Sequence, residues 1–331
     1  MSSLDFLDQT SLRLKRYDVI QHLDSSTTSE VFLVASKKSK RLYVLKQMLF
    51  SNMSEKDSMR VKREILVMKW VDHPNVVKFK ESFAGSNSIS IVMEYCECGT
   101  LEGLIEQQRC RRRPFAEDLL VEWMAELLCA LAYIHSKGIL HRDIKASNIF
   151  VTRKNHLKLG DFGESTPLTN DDGGSWGMIG TPLNFAPEVC EGAAYNERSD
   201  VWSLGVVFYE MCALRPPFEA FNLFSLLQQI LTADVEPFWM GLSPHLEEIV
   251  REMLNKNPDH RPTAQGLINE HLMVPASHPS HPFQNPQMGR LTQQLYGPGP
   301  SYAKHRPHSR EKTTGVPIHL RGSYELAASR Y

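Results

Sequence analysis

The sequence is poor in cysteine. Six thiols are spread over 331 residues. No pair at zinc-binding spacing has a second pair to complete it, which argues against a disulfide framework or a structural zinc. A charge excess is missing too. Lys and Arg number 37 against 38 for Asp and Glu, so the balance does not draw the chain to nucleic acid or to an anionic membrane. The opening MSSLDFLDQT holds two Asp and no basic residue, unlike a secretory leader. No apolar stretch approaches the ~18 residues of a membrane span. Hydrophobic residues still make up 42%, enough to build a core. The expectation is a soluble, cytoplasmic protein.

Composition divides the chain. Residues 13–273 read as globular. From 274 to 331 the chain is rich in Pro, His, Gln, Ser and Tyr, and seven basic residues stand against two acids. This reads as a basic, disordered tail, either a plain solvated extension or a docking segment for a partner. Short β-branched and aromatic runs predict strands over 17–23, 31–36, 42–48, 76–83 and 89–95. Between them, Met59, Ile65 and Met68 recur among charges and predict a helix over 55–70. After Gly99 the pattern turns helical. Residues 119–136 are apolar on one face, and 201–214 almost all round, as in a buried helix. Strands first and helices after suggest two lobes with a cleft between them.

The chemistry concentrates in His141-Arg142-Asp143-Ile144-Lys145-Ala146-Ser147-Asn148. One loop can aim Asp143, Lys145 and Asn148 at a small volume. Phosphoryl transfer uses that set: a carboxylate to orient the attacking hydroxyl, an ammonium to neutralise the moving phosphoryl group, and an amide oxygen to hold a metal. Thirteen residues after Asn148 comes Asp161-Phe162-Gly163, a second carboxylate for Mg²⁺ beside a glycine that permits a sharp turn.

With these motifs in this order, residues 17–273 resemble the eukaryotic protein kinases. The resemblance implies an α+β, two-lobed fold, with a small β-rich N-lobe (about 17–95) and a larger helical C-lobe (about 96–273), preceded by an extension over 1–16. Lys46 stands where that family holds the ATP α- and β-phosphates, and Glu64 where it places the ion-pair partner of that lysine. Asp143, Lys145 and Asn148 take catalytic positions, and Asn148 and Asp161 those of the Mg²⁺ ligands. Met93 would back the adenine pocket, and Glu94 and Cys96 would offer it backbone groups. Val31 and Phe150 would sandwich the ring, under a ceiling narrowed by Val44. Arg261 matches the arginine that pairs with Glu188 of Ala186-Pro187-Glu188. Met68, Phe79, His141 and Phe162 match a stacked hydrophobic spine. Lys145, and Thr181 in Gly180-Thr181-Pro182, match the Ser/Thr class. Ile91–Cys96, Asn148-Ile149-Phe150 and Lys158–Gly163 resemble the NIMA-related branch. The resemblance therefore implies ATP and Mg²⁺ as cofactors and proteins as substrates. It adds the centrosome, cilium or flagellum and nucleus as possible locations.

The sequence departs from that family where a glycine-rich loop should cover the phosphates. Asp24, Ser26 and Ser29 replace all three glycines. Side chains there crowd the phosphates, and Asp24 adds negative charge. Two readings stay open: a Ser/Thr kinase with weakened ATP binding, and a pseudokinase acting as a scaffold or allosteric partner. In the activation segment, 161–188, Ser175 and Thr169 are candidate phosphosites, and Arg142 is placed to pair with a phosphate there. The basic run Arg109–Pro114 reads as a solvated loop or a docking patch.

Truncation after Met273 should leave a folded domain, since the tail lacks the apolar surface to belong to a core. A melting temperature within a few degrees of the full chain is expected. A large drop would show that the tail docks on the body.

Overall fold

The structure, a computed structural model, describes residues 14–26, 29–52, 54–167, 180–237 and 241–272. All fall in one compact unit, Met1–Leu295, while a second unit, Tyr296–Tyr331, lies outside the described residues. Thr169, Ser175 and the basic tail also lie outside them.

Five antiparallel strands form the N-lobe sheet: β1 (Tyr17–Ser25), β2 (Ser29–Ser36), β3 (Leu42–Leu49), β4 (Phe79–Ala84) and β5 (Ser88–Glu94). Their spatial order is β1-β2-β3-β5-β4. Residues paired across a sheet share a face, and faces alternate along each strand. Val31 pairs with Lys46, and Lys46 with Ile91; Leu33 pairs with Val44, and Val44 with Met93. These six therefore share one face. Phe32, Leu45 and Val92 take the other and pack with Leu14, Tyr17, Val34 and Phe83 in a small core of their own. Leu14 comes from the stretch expected to be an extension, so the end of that stretch contributes to the lobe.

Helix α1 spans Glu55–Trp70 and starts on a capping box between Ser54 and Asp57. Such a box satisfies two of the free amides of the first turn. Val61, Ile65 and Met68 are buried, whereas Met59 is exposed. The reason is spacing: Val61, Ile65 and Met68 follow the i, i+4, i+7 stripe, and Met59 lies off it. The strand expected from Val76 begins only at Phe79. Val76 and Val77 instead tie to Leu159 of the other lobe, the amide of Val77 donating to its carbonyl at 2.8 Å.

The C-lobe holds α2 (Leu101–Arg111), α3 (Glu117–Ser136), α4 (Pro187–Cys190), α5 (Glu197–Ala213), α6 (Leu223–Thr232), α7 (Pro244–Met253) and α8 (Ala264–Leu267). Four short strands, β6 (Ile139–Leu140), β7 (Ile149–Val151), β8 (Leu157–Leu159) and β9 (Thr166–Pro167), pair as β6–β9 and β7–β8. The sequence suggested no membrane-length apolar stretch, but α3 is long and apolar enough to cross a membrane. It is buried over most of that stretch, from Leu120 to Ile134, as the central helix of the main core. The basic cluster is not simply a solvated loop. Arg109 and Arg111 complete α2, and the Nε of Arg109 donates to the Leu214 carbonyl at 2.7 Å.

One ion pair clamps this lobe. Arg261, fully buried, grips Glu188 with two donors, Nη1 to Oε1 at 2.8 Å and Nη2 to Oε2 at 3.0 Å. Ser199 donates to the same carboxylate at 2.7 Å, and Arg261 also reaches the carbonyls of Arg198 and Asn255. Burial alone would raise the pKa of Glu188, but these donors outweigh it and hold the carboxyl below its usual range. Removing one partner of a buried pair strands the other charge and costs about 3–5 kcal/mol. Arg261→Ala should therefore lower stability by that amount, read as a shifted urea midpoint. A loss under about 1 kcal/mol would show that the pair does not hold the lobe.

Candidate active site

The loop carrying Asp143 is shaped from below by Asp200, which is fully buried near the start of α5. Its carboxylate accepts the amides of His141 and Arg142, both at 2.9 Å, and the Tyr195 hydroxyl at 2.7 Å. It also lies 2.9 Å from Nε2 of His135. Burial pushes this carboxyl up, but the contacts with His135, His141 and Tyr195 hold it below the usual range. With both amides pinned, the chain turns sharply and Arg142 adopts a left-handed φ of 68°. His141 packs its ring 5.0 Å from that of Phe162, and its Nε2 lies 3.1 Å from the Gly160 carbonyl. Burial depresses its pKa. A neutral, enclosed imidazole of this kind supports the loop and is not a base.

Asp143 sits at the centre of a closed ring. Lys145 Nζ lies 2.7 Å from its Oδ2, and Asn148 Nδ2 donates to that oxygen at 3.0 Å and to the Asp143 carbonyl at 2.8 Å. Thr181 donates its hydroxyl to Oδ1 at 3.1 Å while accepting from Lys145 at 3.1 Å. Thr181 gets this close because Gly180 precedes it. A Cβ on Gly180 would lie 2.8 Å from the Arg142 carbonyl, and its φ of 110° suits only glycine.

Across the cleft, Lys46 Nζ donates to Glu64 Oε1 at 2.8 Å and to Asp161 Oδ1 at 3.4 Å. Burial opposes the charge on Lys46, but the two carboxylates outweigh it and raise its pKa. Asp161 shows the converse: burial pushes it up, and Lys46 brings it below the ordinary value. The Asn148 amide nitrogen is engaged by Asp143, which leaves its oxygen as the atom able to meet a cation. That oxygen and the Asp161 carboxylate are hard donors of the kind Mg²⁺ takes.

The hinge between the lobes is the end of β5, Met93 and Glu94, with the residues that follow it up to Cys96. Met93 pairs with Val44 and Phe79, and the Glu94 amide donates to the Lys78 carbonyl at 2.9 Å. Burial and then Glu94 push the Cys96 thiol up to about 12, so it stays a neutral thiol. Phe150, on β7, bridges to Thr100 just past the hinge. Gly160 allows that ring its place, since a Cβ there would stand 2.8 Å from it.

The replaced loop is a hairpin closed upon itself. The Ser26 amide donates to the Ser29 carbonyl at 2.8 Å, and the Ser29 amide to Ser26 Oγ at 3.0 Å. The two hydroxyls meet at 2.8 Å, and the Ser25 amide donates to Asp24 Oδ1 at 2.8 Å. The sequence suggested side chains that crowd a phosphate site. In the structure they bond first to each other.

Two side chains at the site were not singled out from sequence. Arg60 Nη1 lies 3.2 Å from Glu164 Oε1, joining α1 to the residue after Gly163. Arg60 stands four residues before Glu64, on the same helix face, and that spacing was the available signal. Burial raises the Glu164 pKa, Arg60 opposes the rise, and Asp143 and Asp161 add to it. Arg142 lies with its guanidinium 5.8 Å from the Tyr195 ring; its suggested partners Thr169 and Ser175 fall outside the described residues. A separate cavity of about 650 Å³ opens behind the hinge, where Lys158 lies 3.1 Å from Glu94 and His156 2.7 Å from Glu126. Neither Lys46, Asp143 nor Asp161 lines it.

Comparison with known proteins agrees with this geometry. The family model for the protein kinase domain matches residues 17–273. The chain is 36% identical over 257 residues to serine/threonine-protein kinase Nek1 of Mus musculus, covering 78% of this chain and 21% of that protein. It is 34% identical over 262 residues to Nek3 of Mus musculus, covering 79% and 50%. With Nek5 of Homo sapiens the identity is 35% over 256 residues, covering 77% and 36%. The chain thus spans half or less of the length of these relatives.

Proposed function

The chain belongs to the protein kinase family, and we propose that it is a serine/threonine protein kinase that moves the γ-phosphoryl group of ATP to Ser or Thr hydroxyls of proteins. Its similarity to the Nek kinases supports that class. The observation that carries the proposal is the closed ring of Asp143, Lys145, Asn148 and Thr181 facing the Lys46–Glu64–Asp161 group. Every ionised group that phosphoryl transfer needs is present and paired.

In this reading Asp143 accepts the hydroxyl proton as the acceptor oxygen bonds to the γ-phosphorus and the bond from that phosphorus to the ADP oxygen breaks. Thr181 holds Asp143 Oδ1 in place and fixes the Lys145 ammonium beside the transferring group, where it offsets negative charge. Lys46, steadied by Glu64, takes the α- and β-phosphates. Asn148 and Asp161 would hold Mg²⁺, which supplies neutralising charge to the phosphate oxygens. Arg60 and Glu164 act as positioning residues that tie α1, and with it Glu64, to the Asp161 segment. Cytoplasmic placement belongs to the same proposal.

Asp143→Asn should abolish transfer while leaving nucleotide binding largely intact, because the phosphate contacts remain. Asp161→Asn should instead lose Mg²⁺-dependent binding. Transfer to a generic protein substrate and thermal shift with Mg-ATP separate the two; retained autophosphorylation in Asp143→Asn would refute the assignment.

One observation favours the scaffold reading. The loop amides that would approach phosphates already have partners within the hairpin. Replacing Asp24, Ser26 and Ser29 together by Gly would release the amides of Ser25 and Ser29 and remove one negative charge. A glycine loop is harder to order, but bound nucleotide itself orders it, so the contacts should win. A gain of about 1–2 kcal/mol would be roughly a five- to thirtyfold lower apparent KM for ATP. The effect on adenosine should be smaller. Unchanged or weaker ATP binding would show that these side chains are native ligand or partner contacts.

A further inference from the structure

Two imidazoles meet where the described part of the helical lobe ends. His245, Glu248 and Glu252 follow one another on α7 at steps of three and four residues, so they share one face of that helix. Helix α8 runs on into a single π turn, Ile268–Leu272, which carries Glu270 and His271. A π turn is wider than an α turn, so consecutive side chains fan apart less. Here Glu270 and His271 both reach Glu252.

His271 is buried, and its Nε2 lies 2.9 Å from Glu252 Oε2. One donor atom each from Glu252, Glu270 and His271 falls within 4.8 Å of the others. The His245 ring stands 5.0 Å from that of His271, and its Nδ1 is 3.6 Å from Glu248 Oε2. Glu247, one step round the helix, takes Arg251 instead. The imidazoles decide the chemistry. Carboxylates alone suit Mg²⁺ or Ca²⁺, whereas imidazole nitrogen suits zinc, copper and nickel. A second group, Glu122, Glu126 and His156, also brings three donors together. It offers one imidazole, and both oxygens of Glu126 are engaged, by His156 and by the Leu157 amide.

We propose that Glu252, Glu270 and His271, with His245 as the fourth ligand, form a site for a zinc-type divalent ion that ties α7 to the last turn of the domain. The inference does not rest on the kinase reading. No cysteine is involved, so the thiol spacing that argues against a structural zinc does not apply. Ligand atoms ~2.0–2.2 Å from a tetrahedral ion stand roughly 3.3–3.6 Å from one another. The donors here lie from 2.9 Å apart to within 4.8 Å, a range that side-chain rotation brings to that spacing. The ion would take the place of the proton between His271 and Glu252. Glu248 beside Nδ1 of His245 is the arrangement in which a carboxylate orients a metal-binding imidazole through its other nitrogen. Two carboxylates that repel each other when ionised would then share a cation. The basic segment from 274 follows this turn in sequence, so the ion would also fix the point where it starts.

The full chain, stripped with a chelator and held in millimolar Mg²⁺ to fill hard oxygen sites, is titrated with Zn²⁺. Calorimetry should give one ion per chain, and the melting temperature should rise by about 5 °C at a hundredfold excess over Kd. Co²⁺ as the probe should give the intense visible absorption of a four-coordinate site. Glu252→Gln with Glu270→Gln should weaken Zn²⁺ uptake at least tenfold. Should that pair melt low without metal, Glu270→Gln alone, a change at an exposed side chain, makes the same comparison. His278→Ala with His281→Ala should leave uptake unchanged. No uptake at about 100 µM Zn²⁺ overturns the proposal. So does uptake that survives the Glu252 and Glu270 changes, that goes with the two tail histidines, or that Mg²⁺ displaces, which would place the ion in the tail or at Asn148 and Asp161.

Discussion

The carboxylate of Asp200 is fully buried and meets three donors and the His135 imidazole. A buried charge is tolerated only when it is fully hydrogen-bonded, and here satisfying it dictates the path of the loop that carries Asp143. Two of its partners are consecutive backbone amides, so His141 and Arg142 are fixed as a rigid corner rather than a flexible turn. That corner sends the His141 ring inward against Phe162 and Asp143 outward into the cleft. The Glu188–Arg261 clamp does the same for the segment that brings in Thr181. Two buried carboxylates, Asp200 and Glu188, thus set the positions of the two ends of the Asp143 ring.

The N-lobe half of the site is held differently. Lys46 is fixed by its place in β3 and by two carboxylates from distant segments, Glu64 on α1 and Asp161 after β8. Its position therefore depends on α1 staying against the sheet. Val61, Ile65 and Met68 supply the apolar part of that attachment, and Arg60–Glu164 adds a partly exposed ion pair. Exposed pairs of that kind contribute little to stability. Its effect lies in orientation, since it joins the same two segments that Lys46 joins.

The candidate site was legible in the sequence because its residues lie in short stretches of constrained type and order. His141–Asn148, Asp161–Gly163 and Lys46 needed no structure to be found, and α1 was placed over 55–70 by apolar residues recurring among charges. What was not legible depends on contacts between segments. Arg60 and Glu164 stand 104 residues apart, and neither letter shows that it meets the other. Met59 was misread because its spacing resembles a helix stripe without matching one. The apolar length of α3 was missed because scattered acids break it in sequence; the buried one, Glu126, is satisfied by His156 and the Leu157 amide. The closure of the Ser26–Ser29 hairpin could not be read, because a serine aimed at a ligand and a serine aimed at another serine are the same letter.

On the proposed kinase reading, that closure lets a loop without glycine coexist with a working reaction centre. The hairpin bonds are local and exposed, and each neutral bond of this kind contributes about 0.5–1.5 kcal/mol net. Opening them before phosphate contact reduces the fraction of binding-competent molecules, and apparent affinity falls by that fraction. The reaction ring is 100 and more residues away in sequence, and the bonds that close it run among Asp143, Lys145, Asn148 and Thr181. A change confined to ground-state binding alters KM and leaves the chemical step untouched. Loss of the glycines and retention of Asp143, Lys145, Asn148 and Asp161 are therefore independent physical facts, and the first does not imply loss of the second.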